Sequence, residues 1–489
     1  MKRAAIAILA VILASNVFAT DAAEHAARRA RLAKEIGPNG MLIVFSPRPA
    51  TRNGDVTWPF RQGDNLLYLT GITQSDTTLI LMPAESDFRE VVFVTDRNPQ
   101  TAIWGGGALT HDAITKISGI KRVESSSAFR PFVAAMLLGM PWRRGNDTER
   151  FPTRSAPSFY RAVLAGNAEI WLAHASRGSA TQPLTDEQQF ANDLRQRFPE
   201  ARFRDAQPLI RAMREVKSPA EIVAMQRAID ITVAAQKAAM KRALTATNES
   251  QVDAVVAATY RDLGAESWGF PSIVAAGLNS TTLHYEENNA PVDRNGLMLT
   301  DLGAEIEGYS ADVTRTYPAN GRFTPAQRAI YEAVLAAQNA GIAAARAGAR
   351  LKDIDNAATA SLGRDLLRLG LIAKDDPKQV YLYFRHGVGH HLGLDVHDVW
   401  DVDGNLEPNM VVTVEPGVYV RRDDVVNSPE FTSLSNDEQD KIRAALDKYN
   451  GIGVRIEDDV LIADGAARVL SAGAPRSIAD IEAFQASAR

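Results

Sequence analysis

Short apolar runs rich in β-formers, such as Leu79-Ile80-Leu81-Met82 and Val91-Val92-Phe93-Val94, alternate with helical stretches from Met41 to about Asp205. That is the pattern of an α/β unit whose strands are separated by turns. Asn53-Gly54-Asp55 and Arg97-Asn98-Pro99 supply turn chemistry, and Ala156 to Phe198 reads as helix plus loop. A boundary falls between residues 205 and 218. Beyond it, Ser218-Pro219-Ala220-Glu221 sets a capping Ser, a Pro at the first helical position and a Glu at the third, ahead of an amphipathic pattern through Lys241. A second helix follows Glu249, and a third runs from Thr324-Pro325 to about Arg346. From Ile273 onward the segments between helices alternate and end in turns, so the second unit is expected to be α+β with much antiparallel strand.

At 489 residues the chain is too long for one ordinary core, and 45% hydrophobic with 23% charged residues is a globular composition. Met1-Lys2-Arg3, the apolar stretch Ala4 to Ala14 and Val17-Phe18-Ala19 have the order of a basic leader, a short hydrophobic run and a small-x-small cleavage site. The run is too short to span a membrane. These features predict export to the periplasm or beyond after cleavage near Ala19, with no stable membrane anchor. Loss of Lys2 and Arg3 would take the formal net charge from −5 to −7. Such mild acidity argues against nucleic acid as a partner. With no cysteine, neither a disulfide nor a thiolate ligand or nucleophile is available.

Candidate chemistry gathers in the C-terminal half. Two β-like runs, Leu297 to Ala304 and Tyr309 to Tyr317, flank a turn containing Glu307-Gly308. A turn centred between Ile306 and Glu307 would set Asp301 directly opposite Asp312, a like-charge pair that is destabilising without a cation. An exposed polar hairpin is the plainer reading of that segment alone. Four of the eight histidines, His386, His390, His391 and His397, fall in FRHGVGHHLGLDVHD, where Gly387 and Gly389 make a regular helix unfavourable. Val411 to Glu415 reads as a strand ending in a carboxylate and a sharp turn. Glu457 lies mid-strand in Gly453 to Ile462, where a carboxylate is costly unless paired or metal-bound. Arg455, two residues away on the same face, offers an ion pair as the plainer account. Four carboxylates and one imidazole suit Mn²⁺, Co²⁺ or Zn²⁺.

The ordered motifs TDLGAEIEGYSADVTRTYP, HGVGHHLGLDVHD, VEPGVY and GVRIEDD, with Leu283-His284-Tyr285 upstream, resemble the pita-bread metallopeptidases, and most closely the aminopeptidase P (Xaa-Pro aminopeptidase) family. Asn53 to Val56, Pro59 to Gln62 and Tyr68 to Gly71 resemble that family's N-terminal module, while Thr110 to Ala206 carries no recognisable motif. The resemblance implies an α+β architecture: a pita-bread catalytic domain with pseudo-twofold symmetry over 206–489, preceded by a smaller α/β domain over 24–205. It implies two divalent metals, Mn²⁺ first and Co²⁺ or Zn²⁺ next. Asp312 and Glu457 would bridge them, His390 and Glu415 would complete one, and Asp301 the other. His284 and His397 match residues that hold the scissile peptide and its developing charge, and His386 one at the proline pocket. Arg455 would orient a ligand carboxylate, and Glu415 would also carry a proton to the leaving nitrogen. His391 has no matching role. Trp104 either lines the substrate groove, from this or a neighbouring subunit, or packs in a core.

The implied reaction is removal of the N-terminal residue from peptides with proline second, by attack of a metal-bridging hydroxide. The implied assembly is a homodimer or homotetramer. Two other readings stay open: a prolidase, which shares the ligands but takes only Xaa-Pro dipeptides, and a metal-free peptide-binding scaffold. A charged segment, Ser435 to Tyr449, reads as a helical insertion that leaves the ligands intact.

Overall fold

The computed structural model describes residues 20–140, 142, 158–173 and 183–488; the expected leader lies outside the described residues. The N-terminal part is built on a six-stranded sheet whose spatial order is Arg122–Ser125, Glu90–Val94, Thr78–Leu81, Gly40–Phe45, Glu169–Leu172, Arg202–Asp205. The central strand Gly40–Phe45 is antiparallel to Thr78–Leu81 and parallel to Glu169–Leu172. Fully buried neighbours such as Leu42, Ile43, Ile80 and Val92 explain why these strands read as continuous apolar runs. Two expectations need correction. Ala156 to Phe198 contains the strand Glu169–Leu172 between helices Ser158–Leu164 and Asp186–Arg197, and Trp171 and Glu169 at its half-buried positions obscure it. Asn98-Pro99 starts the helix Pro99–Gly105, with the Asn98 side chain as its cap.

The boundary region holds the helix Gln207–Glu215, after which Ser218 and Glu221 form the expected capping box on Pro219–Ala243. The helices Ser250–Asp262 and Pro325–Ala344 also stand where the sequence places them, and Leu351–Leu369 pairs with the latter. Four helices thus back two broken hairpins. In one, Leu297–Leu302 and Ala304–Ile306 return as Tyr309–Ser310 and Val313–Pro318; in the other, Val411–Val414 and Gly417–Val420 return as Ile452–Arg455 and Asp458–Leu461. A buried glutamine supports each in the same way. The Gln236 amide donates to the carbonyls of Thr300 (3.0 Å) and Val313 (2.6 Å), and the Gln338 amide donates to Val414 O (3.3 Å) and Asp458 Oδ2 (3.0 Å). Thr300 and Val414 each immediately precede a predicted ligand, so the two halves share one support scheme.

The first hairpin's register differs from expectation. Its turn is Glu307-Gly308, with φ of 53° and 79°, the doubly left-handed turn that matches strand twist. Asp301 therefore faces Thr314, and Asp312 would face Gly303. The shift moves one residue on each strand, so both aspartates keep the same face of the sheet. Glu415 does not sit at a chain reversal: Glu415-Pro416 is a two-residue break before the chain continues in the same hairpin. Ile456-Glu457 is the matching break opposite, so Glu457 is not mid-strand.

The small domain is fastened to the large one at both loops that matter. Arg61 donates to Glu305 Oε2 (2.6 Å), Gly308 O (3.1 Å) and Leu394 O (2.7 Å). The helix Ala22–Ile36 packs alongside, where buried His25 contacts the Tyr68 carbonyl at 3.0 Å. A carbonyl only accepts, so Nδ1 carries the proton. Burial, helped by Arg28 and Arg29 and opposed by the Tyr68 carbonyl contact, leaves the His25 pKa at about 4. Its folded pKa lies below the unfolded value of about 6.5, so its contribution is present above pH 6.5 and is lost as pH falls through 4. Denaturant unfolding between pH 7 and pH 4 should show this loss, on the order of 3 kcal/mol. His25→Asn, which keeps a donor but cannot titrate, should flatten that part of the profile.

Candidate metal centre

The hairpin breaks place carboxylates where regular strand pairing ends, and all of them point into one buried space. Asp312, His390 and Glu457 each offer a ligand atom within 4.8 Å of the others. Glu415 Oε1 lies 3.4 Å and Asp312 Oδ2 3.5 Å from His390 Nε2. Asp301 completes the group from the neighbouring strand position, close enough to Asp312 for a hydrogen bond between their carboxyls. The five predicted ligand residues are therefore brought together.

The His390 ring orientation decides what this space can hold. Its Nδ1 lies 3.0 Å from the His391 carbonyl, which can only accept, so Nδ1 donates there and Nε2 is the nitrogen left facing two carboxylates. Held in that orientation, Nε2 and the facing carboxylate oxygens are placed to share a cation lying between them. The acids show the same stress. Burial first, then Asp301, Glu415 and Asp459, pushes the Asp312 carboxyl well above its ordinary range. Burial and then Asp312 does the same to Glu457, burial does so to Asp459, and burial raises Glu415. Oδ1 of Asp301 and Oδ1 of Asp459 are buried without a hydrogen-bond partner. Crowded hard oxygens, one aimed imidazole and orphaned acceptors fit divalent cations.

Surrounding groups fix these side chains. The His390 loop lies along Val411–Val414: Thr413 N–H donates to His390 O (2.9 Å), and Glu415 N–H to Val388 O (2.7 Å). Gly389 is required there, because a Cβ would collide with the Thr413 carbonyl. Thr314 donates to Glu457 Oε2 (2.7 Å) and accepts from Arg455 Nε (3.1 Å). Arg455 pairs with Asp301 at 2.5 Å, not with Glu457 as the plainer reading had it. Its other arm donates to Tyr419 Oη (2.9 Å). Burial opposes the Arg455 charge, but Tyr419 and then Asp301 outweigh it and raise its pKa.

His386 joins this chain. Its Nδ1–H donates to Gly387 O (2.9 Å), so Nε2 accepts from the Tyr419 hydroxyl (2.8 Å), and burial followed by Arg455 lowers its pKa to about 3. His397 stands exposed at the rim, its ring 4.2 Å from that of His390; partial burial, then His390, lowers its pKa to about 4. His284 is exposed too, near enough to lower both of those pKa values. His391 is buried and stacked on Trp400, with ring centroids 5.5 Å apart. The side chain of Trp104 lies outside the described residues.

Sequence reasoning missed three supports. Tyr419 links Arg455 to His386, as above. Asp459 accepts the Asp312 N–H at 3.2 Å. Arg315, fully buried, donates to the carbonyls of Thr314 (2.9 Å) and Glu457 (2.5 Å) and to Asp458 Oδ1 (2.6 Å). An arginine inside a strand between two ligand segments was the available signal for the last.

Comparison with known proteins agrees with this geometry. The model of metallopeptidase family M24 matches residues 223–464, and that of the aminopeptidase P N-terminal domain matches residues 25–141. The chain belongs to metallopeptidase family M24, with the pita-bread catalytic domain behind an α/β domain. The Xaa-Pro aminopeptidase of Escherichia coli is 30% identical over 476 residues, 95% of this chain and 98% of that one. Aminopeptidase PepP of Pseudomonas aeruginosa superposes with a TM-score of 0.80 at 29% identity, covering 96% of this chain and 99% of that one. A Zn-substituted E. coli aminopeptidase P in complex with product gives 0.78 at 29% identity with the same coverage. Within M24 the chain belongs to the aminopeptidase P family, and its activity is that of an Xaa-Pro aminopeptidase, a metallo-exopeptidase acting on peptides.

Arg315→Leu should cost about 3 to 5 kcal/mol in denaturant unfolding, because Asp458 would stay buried with one partner fewer. A smaller loss than Asp458→Asn alone would show that this pair does not organise the strand.

Proposed function

We propose that the pocket holds two divalent cations, Mn²⁺ in the first instance with Co²⁺ or Zn²⁺ able to substitute, and that it cleaves the bond before proline. The carrying observation is the His390 ring, held at Nδ1 by the His391 carbonyl so that Nε2 faces Asp312 and Glu415. Asp312 and Glu457 would be shared between the cations, His390 and Glu415 would complete one, and Asp301 the other. When bound, such cations supply Lewis-acid polarisation of the carbonyl and acidification of a water near neutral pH.

The chain's own groups do the rest. With its pKa near 4, His397 is neutral at pH 7 and offers an N–H to the carbonyl oxygen as it gains charge. His284 faces the same exposed rim and would hold the peptide beside it. Glu415, whose carboxyl is raised by burial, is suited to take up a proton and return it to the leaving proline nitrogen. That nitrogen is a tertiary amide without an N–H, so a site that recognises it must do so by shape. His386 and Tyr419 provide that wall. Arg455 holds Asp301 in place rather than touching substrate.

Peptides longer than a dipeptide are the proposed substrates, in contrast to a prolidase. Export with cleavage after Ala19 is proposed from the leader pattern, and Thr20, the first described residue, already contacts Glu307 Oε2 through its amide at 3.3 Å. Among the described residues no helix is long and apolar enough to cross a membrane. Assembly as a dimer or tetramer is proposed as well, and exposed Val56, Trp58 and Ile103 on the small domain are suited to a subunit contact.

Glu457→Ala should abolish hydrolysis of Arg-Pro-Pro while the circular dichroism spectrum is kept; unchanged turnover would sink the two-cation reading. His397→Ala should lower kcat on the same peptide by about 10²-fold with KM little changed. Faster turnover of Arg-Pro than of Arg-Pro-Pro by the unaltered enzyme would point to a prolidase.

A further inference from the structure

A small cleft of about 60 Å³ opens beside the proposed proline wall, between Leu283, Leu382, Tyr419, Val425, Arg385 and Arg421. It shares Tyr419 with the site, and that hydroxyl contacts His386 and Arg455. Leu283 immediately precedes His284, and Arg385 immediately precedes His386. The cleft thus adjoins the site through Tyr419. Leu283, Leu382 and Val425 give it apolar sides, and two guanidinium groups and the carboxylate of Asp424 also line it.

Arg421 is poorly satisfied by its own neighbours. Its closest contacts are Leu278 O at 3.4 Å, Thr282 Oγ1 at 3.5 Å and Asp424 at 3.9 Å, and Asp424 is more than half exposed. Its Nε is buried without a hydrogen-bond partner. A planar guanidinium with free donors is suited to a carboxylate.

Resting on the Xaa-Pro reading, we propose that this cleft is the subsite for the residue after proline, taking an apolar side chain against Leu283 and Leu382 and a C-terminal carboxylate at Arg421, with Arg385 adding positive potential. The subsite makes tripeptides with a free C-terminus preferred substrates. Arg421 comes from the stretch that leads from Tyr419 into the charged insertion, so the selectivity is written into the segment that the ligand motifs leave undetermined.

The test compares Ala-Pro-Leu with Ala-Pro-Leu amide on the metal-loaded enzyme. The unaltered protein should favour the acid about five-fold in kcat/KM, with the difference in KM, as for a partly exposed charge pair. Arg421→Gln should bring the ratio to near one, and Arg421→Lys should restore most of it. Raising salt to 0.5 M should erode the preference of the unaltered enzyme, which gives a reading even if Arg421→Gln fails to fold. Equal rates on acid and amide, a preference indifferent to salt, or an equal loss on both peptides in a folded Arg421→Gln would each overturn the subsite while leaving the activity standing. Cleavage of neither peptide would overturn the activity reading and the subsite with it.

Discussion

An imidazole nitrogen turned toward buried carboxylates is the constraint on which the rest of this structure depends. The carbonyl of His391 fixes the proton on Nδ1 of His390, and the remaining nitrogen has only negative oxygens before it. Asp301, Asp312, Glu415 and Glu457 crowd the same buried space, and among the described residues Arg455 is the arginine or lysine that pairs with one of them. Isolated buried carboxylates would neutralise or find cations. The fold keeps them together by breaking two hairpins at equivalent places and bracing each break with a buried glutamine.

The small N-terminal domain belongs to the same device. Arg61 spans from it to the turn of the first hairpin and to Leu394 in the histidine loop. At the domain boundary, Arg214 and Lys217 clamp Asp398 at 2.6 and 3.1 Å, next to His397. These buried pairs hold Asp398 below the usual carboxylate range despite its burial. The position of the rim histidine is thus set from the domain boundary, where one hydrophobic core runs through both parts while a second lies within the N-terminal domain.

Much of this was legible in the sequence because capping boxes, apolar runs and acids in apolar strands are local signals. Ser218, Thr324 and Ser435 each cap the helix that their motifs announce. The candidate acids could be read because each stands in a run that reads as strand, although Asp312, Glu415 and Glu457 sit at breaks between strands. Register was less legible: Glu307-Gly308 forms a two-residue turn only because Glu307 accepts a positive φ, which its side chain does not advertise. The one-residue shift per strand left Asp301 and Asp312 on one face, so the chemistry survived an incorrect pairing. Partners distant in sequence, such as Arg455 with Asp301 or Arg315 with Asp458, could not be assigned before the two halves were placed together.

The central claim is that a cation replaces protons in a crowded acid pocket. Because burial and mutual repulsion raise Asp312, Glu457, Glu415 and Asp459, the metal-free protein should retain protons on this cluster near neutral pH. Titrating metal-free protein with Mn²⁺ by calorimetry at pH 7, in buffers of different ionisation enthalpy, measures protons released per chain. The account predicts saturable binding of two ions with release of at least about one proton. Binding with no proton release, or no saturable binding at all, would contradict it.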